Sequence, residues 1–171
     1  MDILTSIHGK RFGLGKDGSL ILNHEGNQRI IRGGGNIVNC TASTLTVTAD
    51  LHAGKIITLN RAAGIVVSLP AATATGNVYK FFVGTTVTSN VYRINALTTD
   101  IIQGGVSVST DAGGVSILAI PTADYITMNG STTGGLRGSI VELQDILPNV
   151  WAVRGSLVST GAEATPFSAA V

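Results

Sequence analysis

The sequence predicts an all-β fold: a β-sandwich, jelly-roll-like or barrel body of about ten to twelve short strands, with an extended N-terminal arm. Three observations predict it. Short runs rich in β-branched and aromatic residues recur along the chain, separated by intervals of Gly, Ala, Ser, Thr, Asn and Pro, the pattern of consecutive strands joined by turns. No window carries apolar residues at helical spacing over a useful length. The first 36 residues differ from the rest in glycine spacing and in charge.

The division is therefore 1–36, an arm, and 37–171, a β-structured body with a C-terminal tail. Residues 1–36 hold Lys10, Arg11, Lys16, Arg29 and Arg32 against Asp2, Asp17 and Glu25, a balance of +2, and the remaining six basic and seven acidic residues sum to −1. Glycines interrupt the segment at 9, 13, 15, 18, 26 and 33–35. Only Ser19–Leu22 and Gln28–Ile31 read as strands, and both are too short to stand alone. Two readings stay open: an edge hairpin of the body, or an extended arm that orders on a partner, with Gly33–Gly35 as its hinge.

The body is clearest in Lys55–Ile94. Lys55–Leu59, Ile65–Leu69 and Val78–Val83 form three strand-like runs, and Val91–Ile94 a weaker fourth. Ile57, Leu59, Val67, Leu69, Phe81 and Val83 are expected in the core or a subunit interface. Leu45–Thr48 alternates as a half-buried strand. Further runs follow at Asp100–Ile102, Val106–Val108, Val115–Ile120, Asp124–Met128, Gly138–Leu143 and Val150–Arg154. Gly104-Gly105, Asp111–Gly114, Thr132–Gly135 and Pro148-Asn149 read as the turns between them. Trp151 is expected to anchor the core. No clean repeat of 20–50 residues is visible, which argues against a solenoid or propeller.

Composition limits the function classes. At 171 residues the chain buries roughly two-thirds of its unfolded surface without a metal or disulfide staple. Charged residues make up 12%, against about 25% in an ordinary soluble domain, so its faces suit coverage by sister subunits or an assembly. A formal net charge of +1 is too balanced for a sequence-independent nucleic-acid binder. Met1–Gly9 lacks a basic region followed by an apolar core, and no run approaches the roughly 20 apolar residues of a membrane helix. Synthesis in a cytoplasm and no membrane partner are expected. Cys40 is the single cysteine, and a small buried residue is its expected role.

Catalytic and ligand-binding patterns are weak. Gly13–Gly18 fails the phosphate-loop pattern, because Asp17 stands where Ser or Thr would hold the metal and Lys10 replaces a glycine. His8, His24 and His52 lack the spacing of a helical metal pair. Asp50 and His52 read as a solvated strand end. Asp100, Asp111 and Asp124 fall at expected turns, where Asp caps local backbone. No serine sits in a nucleophile elbow, and Cys40 has no evident base beside it. No catalytic, cofactor or metal residue is therefore assigned, and the chain is expected not to be an enzyme.

Several phrases nevertheless form a recognisable set: Leu69–Thr73 (LPAAT), Val78–Thr88 (VYKFFVGTTVT), Thr127–Gly135 (TMNGSTTGG), Gly138–Asp145 (GSIVELQD), Trp151–Val153 and Gly161–Ser168 (GAEATPFS). Across roughly residues 55–170 the chain resembles the small β-structured decoration, or cement, proteins of tailed-bacteriophage heads. These phrases are structural, and related β modules occur in phage fibres.

The resemblance implies a homotrimer on the outer capsid surface of the virion, bridging and stabilising major capsid protein subunits. On that reading Lys10, Arg11, Lys16, Arg29 and Arg32 are capsid-contact candidates, and Phe81, Trp151 and Phe167 are trimer or core candidates. The alternative is a tail-fibre or receptor-binding module for host surface polysaccharide, with Trp151, Tyr79 or Tyr92 as stacking surfaces. A polysaccharide-degrading enzyme would need paired acids in a groove, and none is recognisable.

Overall fold

The structure, a computed structural model, describes residues 2–7, 10–14, 20–24, 27–31, 37–111 and 113–169. The chain forms two compact units, Met1–Asn36 and Ile37–Val171.

In the first unit, β1 (Asp2–Ile7), β2 (Lys10–Leu14), β3 (Leu20–His24) and β4 (Asn27–Ile31) pair in sequence order as one sheet. All three pairings are antiparallel, with Phe12 opposite Leu22 and Leu22 opposite Arg29. Where the open readings were an edge hairpin or an extended arm, the backbone of this unit is a four-stranded meander. Each run is too short alone, but Ile or Leu recurs in all four, and three or more adjacent strands make such runs viable together. Of the glycines that read as flexibility, Gly13 lies inside β2, opposite Ile21 of β3. The proposed hinge Gly33–Gly35 lies outside the described residues.

The second unit is an all-β body of two sheets. Its elements are β5 (Ile37–Cys40), β6 (Thr44–Thr46), a single helical turn α1 (Ala49–His52), β7 (Ile56–Leu59), β8 (Ile65–Ser68), β9 (Val78–Val83) and β10 (Tyr92–Asn95). They continue with β11 (Ile101–Thr110), β12 (Gly113–Leu118), β13 (Tyr125–Met128), β14 (Ile140–Leu147), β15 (Val150–Val158) and β16 (Phe167–Ser168). Seven strands form one sheet in the order β12-β11-β15-β14-β9-β7-β5, and five form the other in the order β16-β13-β10-β8-β6.

From β5 to β10 the chain alternates between the two sheets, and neighbours within each sheet run parallel. This is an irregular coil, which departs from the expectation of no solenoid-like winding. Ile37 pairs with Ile56 and Ile56 with Lys80, steps of 56 − 37 = 19 and 80 − 56 = 24 residues. Unequal steps leave no fixed period for a repeat search to find. The later strands close the body mainly by antiparallel pairing of β14 with β9 and β15.

The core lies between the sheets. Alternation places Ile57 and Leu59 of β7, Ile65 and Val67 of β8, Tyr79, Phe81 and Val83 of β9, and Tyr92 and Ile94 of β10 inside. Fully burying side chains of this size contributes roughly 1.5–3 kcal/mol each. Trp151 packs edge-on against Tyr79, with ring centroids 5.7 Å apart and planes at 65°. Gly104-Gly105, read as a turn, lies inside β11. A Cβ on Gly104 would sit 2.3 Å from the Val153 carbonyl oxygen, so glycine lets β11 approach β15 closely.

Candidate functional site

One end of the body is held by buried carboxylates acting on loop backbone. Asp145, late in β14, accepts hydrogen bonds from the Ala74 N–H at 2.7 Å, the Thr75 N–H at 3.0 Å and the Thr75 hydroxyl at 2.6 Å. Asp100 accepts from the Ala72 N–H at 2.8 Å, and the Asn149 N–H donates to the Ala72 carbonyl at 2.9 Å. Together they pin the loop that follows β8, in which Ala74 takes a left-handed φ of 60°. Asp100 was expected to cap its own turn and instead holds a loop 28 residues away. Burial pushes the Asp145 carboxyl up, but hydrogen bonds from Thr75, Thr73 and Ala74 outweigh it and leave the group below its ordinary value.

A second pinned loop joins β13 to β14. The Asn129 side-chain carbonyl accepts from the Ser131 and Thr133 N–H groups at 2.9 and 3.1 Å, the local turn geometry that asparagine favours. Ser139, fully buried, accepts from the Val158 N–H at 3.0 Å, and Ser159 accepts from Gly134 at 2.7 Å. These loops carry the Leu69–Thr73 and Thr127–Gly135 phrases quoted above. Their polar groups hold backbone.

On the face of the seven-stranded sheet turned away from the core, Glu142 of β14 lies opposite Lys80 of β9 and Arg154 of β15. Lys80 Nζ is 3.0 Å from Glu142 Oε2, and Arg154 Nη2 contacts Glu142 Oε1. Burial pushes the Glu142 carboxyl up, while the two cations outweigh it and lower the net value. Glu142, Gln144, Ala152, Val153 and Arg154 line a depression of about 140 Å³, well below the roughly 300 Å³ at which small-molecule sites begin.

His52, expected at a solvated strand end, is buried on α1. The helical turn brings it back over Thr48, whose N–H donates to its Nδ1 at 3.0 Å. Cys40 is buried. Among the described residues no group of three His, Cys, Asp or Glu side chains could hold a metal ion. Among the described residues the buried acids Asp100, Glu142 and Asp145 are each engaged with backbone or with cations.

Of the residues singled out from sequence, Phe81, Trp151 and Phe167 lie in the core. Tyr79 and Tyr92 are also buried. Tyr92 directs its hydroxyl to the Thr85 and Arg61 carbonyls at 2.7 and 2.9 Å. The three rings considered as glycan platforms are thus inside the body. Lys16 and Arg32, and the side chains of Lys10, Arg11 and Arg29, lie outside the described residues. Sequence reasoning missed Asp145 and the pairing of Glu142. Their signal was two acids set among the apolar residues of β14.

Large apolar side chains reach the surface at several points: Ile37, Leu51, Leu97, Val115, Leu118, Ile146 and Leu147. On the outer face of the five-stranded sheet, the Arg93 guanidinium carbon lies 3.8 Å from the centre of the Tyr125 ring. No helix among the described residues is long and apolar enough to cross a membrane. No family model and no curated protein matches the chain.

Proposed function

We propose that the protein is a non-enzymatic structural component of a tailed-phage virion, attached as a homotrimer to the outside of the capsid and bridging major capsid protein subunits. One observation supports this reading above the others. Buried polar side chains of the body hold its own loops, while Ile37, Leu51, Leu97, Leu118 and Leu147 stand exposed. A rigid frame with apolar outer positions and few charges suits lasting contact with other protein surfaces.

The resemblance of the loop and strand phrases to head decoration proteins supplies the identity of those surfaces. The separate unit 1–36, with five basic residues against three acidic ones, supplies an attachment element. Three such units on one trimer would strengthen attachment through effective concentration by about two to four decades. The tail-fibre alternative loses the residues it would use, since Trp151, Tyr79 and Tyr92 are buried.

Mass-spectrometric counting of copies in purified particles tests the reading. Many copies on heads, lost when residues 1–36 are deleted while the body stays folded, is the expected result. Absence from heads, or presence only on tails, would overturn it.

A further inference from the structure

The outer edge of the seven-stranded sheet offers a second surface. β12 ends that sheet, and among the described residues no strand pairs with its outer side. Gly113–Ala123 contains no charged residue, and β12 has neither a proline nor a register break along its pairing with β11. Monomeric proteins ordinarily blunt an edge of this kind with lysine, proline, a bulge or a covering segment. The remaining body edges are shorter, with two residues in β16, three in β6 and four in β5 against six in β12.

The hydrogen-bonding direction follows from the ladder. The Ala119 N–H donates to the Gly104 carbonyl, and antiparallel partners alternate between bonded and non-bonded pairs. Ile117, Val115 and Gly113 therefore bond toward β11, while Leu118, Ser116 and Gly114 direct their N–H and C=O groups outward. The side chains follow the same register. Val115 and Ile117 lie opposite Val108 and Val106 of the core, and Gly114, Ser116 and Leu118 lie on the outer face.

This strand is its own complement. We infer that β12 pairs antiparallel with β12 of a second copy of this chain, about a two-fold axis at Ser116. In that register all three outward residues on each strand find partners: Ser116 meets Ser116 of the second copy, and Gly114 meets its Leu118 in both directions. Three pairs exchanging two bonds each give about six main-chain hydrogen bonds. Leu118, 75% exposed, lies over the bare Cα of glycine, a large group beside a small one. Val115, 47% exposed, meets Ile117 of the second copy and carries the apolar core across the seam. An uncharged strand meets an uncharged strand, with no like-charge penalty. Such a contact is isologous. It is independent of the three-fold association proposed above, which needs a different surface.

The test uses the full chain and its solution mass by light scattering. Wild type is expected as an even number of copies. Ser116→Lys and Ser116→Glu place like charges face to face on the axis, and each alone is expected to halve the mass. An equimolar mixture of the two is expected to restore it through Lys–Glu pairing, a recovery that simple misfolding would not produce. Wild-type mass retained in Ser116→Lys, or no recovery on mixing, would overturn the seam. An odd-numbered wild-type assembly would also overturn it and leave the capsid reading intact. Even-numbered particles absent from heads would do the reverse.

Discussion

Asp145 and Thr75 are 70 residues apart in sequence, yet the Thr75 hydroxyl donates to the Asp145 carboxylate at 2.6 Å and its N–H at 3.0 Å. This pair fixes the loop after β8 against the end of β14. Asp145→Ala removes the acceptor of the Ala74 and Thr75 N–H groups, which lie on exposed residues that water can reach, so the cost is the net worth of such bonds, about 0.5–1.5 kcal/mol each. A destabilisation of that size is expected, read as a lower urea midpoint with unchanged m. An unchanged midpoint would show that the loop holds itself.

The same carboxylate makes stability fall with acid. Its folded-state pKa lies below the ordinary 3.8 because the hydrogen bonds from Thr75, Thr73 and Ala74 outweigh burial. The unfolded chain takes up the proton first as pH falls, so this contribution is complete well above 3.8 and is lost below it. In Asp145→Asn that part of the acid limb should disappear, which urea midpoints between about pH 5 and pH 2.5 would show.

Glu142 is a buried ion-pair hub whose two cationic partners reach solvent. Lys80 and Arg154 both bind it, and their side chains are 42% and 73% exposed, so solvent screening limits the gain to about 1 kcal/mol or less. Glu142→Gln leaves two cations beside each other. A small loss of stability is expected at low salt, shrinking as ionic strength rises and the repulsion is screened. A loss that stays constant from low to high salt would assign the effect to packing instead.

What could be read from the sequence follows from the range of the interactions. Alternation and turn residues are local, and they located the strands Ile56–Leu59, Ile65–Ser68, Val78–Val83 and Tyr92–Asn95 and buried Phe81 and Trp151 correctly. Partner choice is not local. Nothing around Asp100 announces Ala72 as its partner, and nothing around Glu142 announces Arg154. Gly104 carries the same letter as a turn glycine, and only the approach of Val153 reveals a strand. Of the N-terminal strands, Ser19–Leu22 and Gln28–Ile31 announced β3 and β4, while β1 and β2 were hidden for the same reason, since each is viable only beside the next. His52 was misplaced because one helical turn buries it over Thr48.

His52 makes a separate prediction near neutral pH. Burial lowers its pKa from the ordinary 6.5, the Thr48 backbone bond opposes this, and Lys55 adds to the lowering. The unfolded chain therefore binds a proton near pH 6.5 while the folded chain does so only at lower pH. Stability should fall as pH drops below about 6.5 and level off once the folded imidazole also titrates. An NMR titration of the His52 ring should give a midpoint below 6.5, and His52→Gln should flatten that part of the stability profile. A midpoint at or above 6.5 would contradict the buried, neutral imidazole.

Gly130 and Gly161 have nearly the same backbone and different surroundings, which separates two costs. Their φ values are 76° and 72°, both left-handed. A Cβ at Gly161 meets nothing within 4 Å, whereas one at Gly130 would sit 2.0 Å from the Val87 carbonyl oxygen. Gly161→Ala carries only the conformational cost of about 1–2 kcal/mol. Gly130→Ala carries that cost and must also push the 129–135 loop off Val87, which loosens the Asn129 turn. A loss at least 1–2 kcal/mol larger is expected, in the range of overpacked sites, read from thermal or urea unfolding of both variants. Equal losses would mean that the loop yields freely, and the β13–β14 connection would then be a compliant segment of the frame.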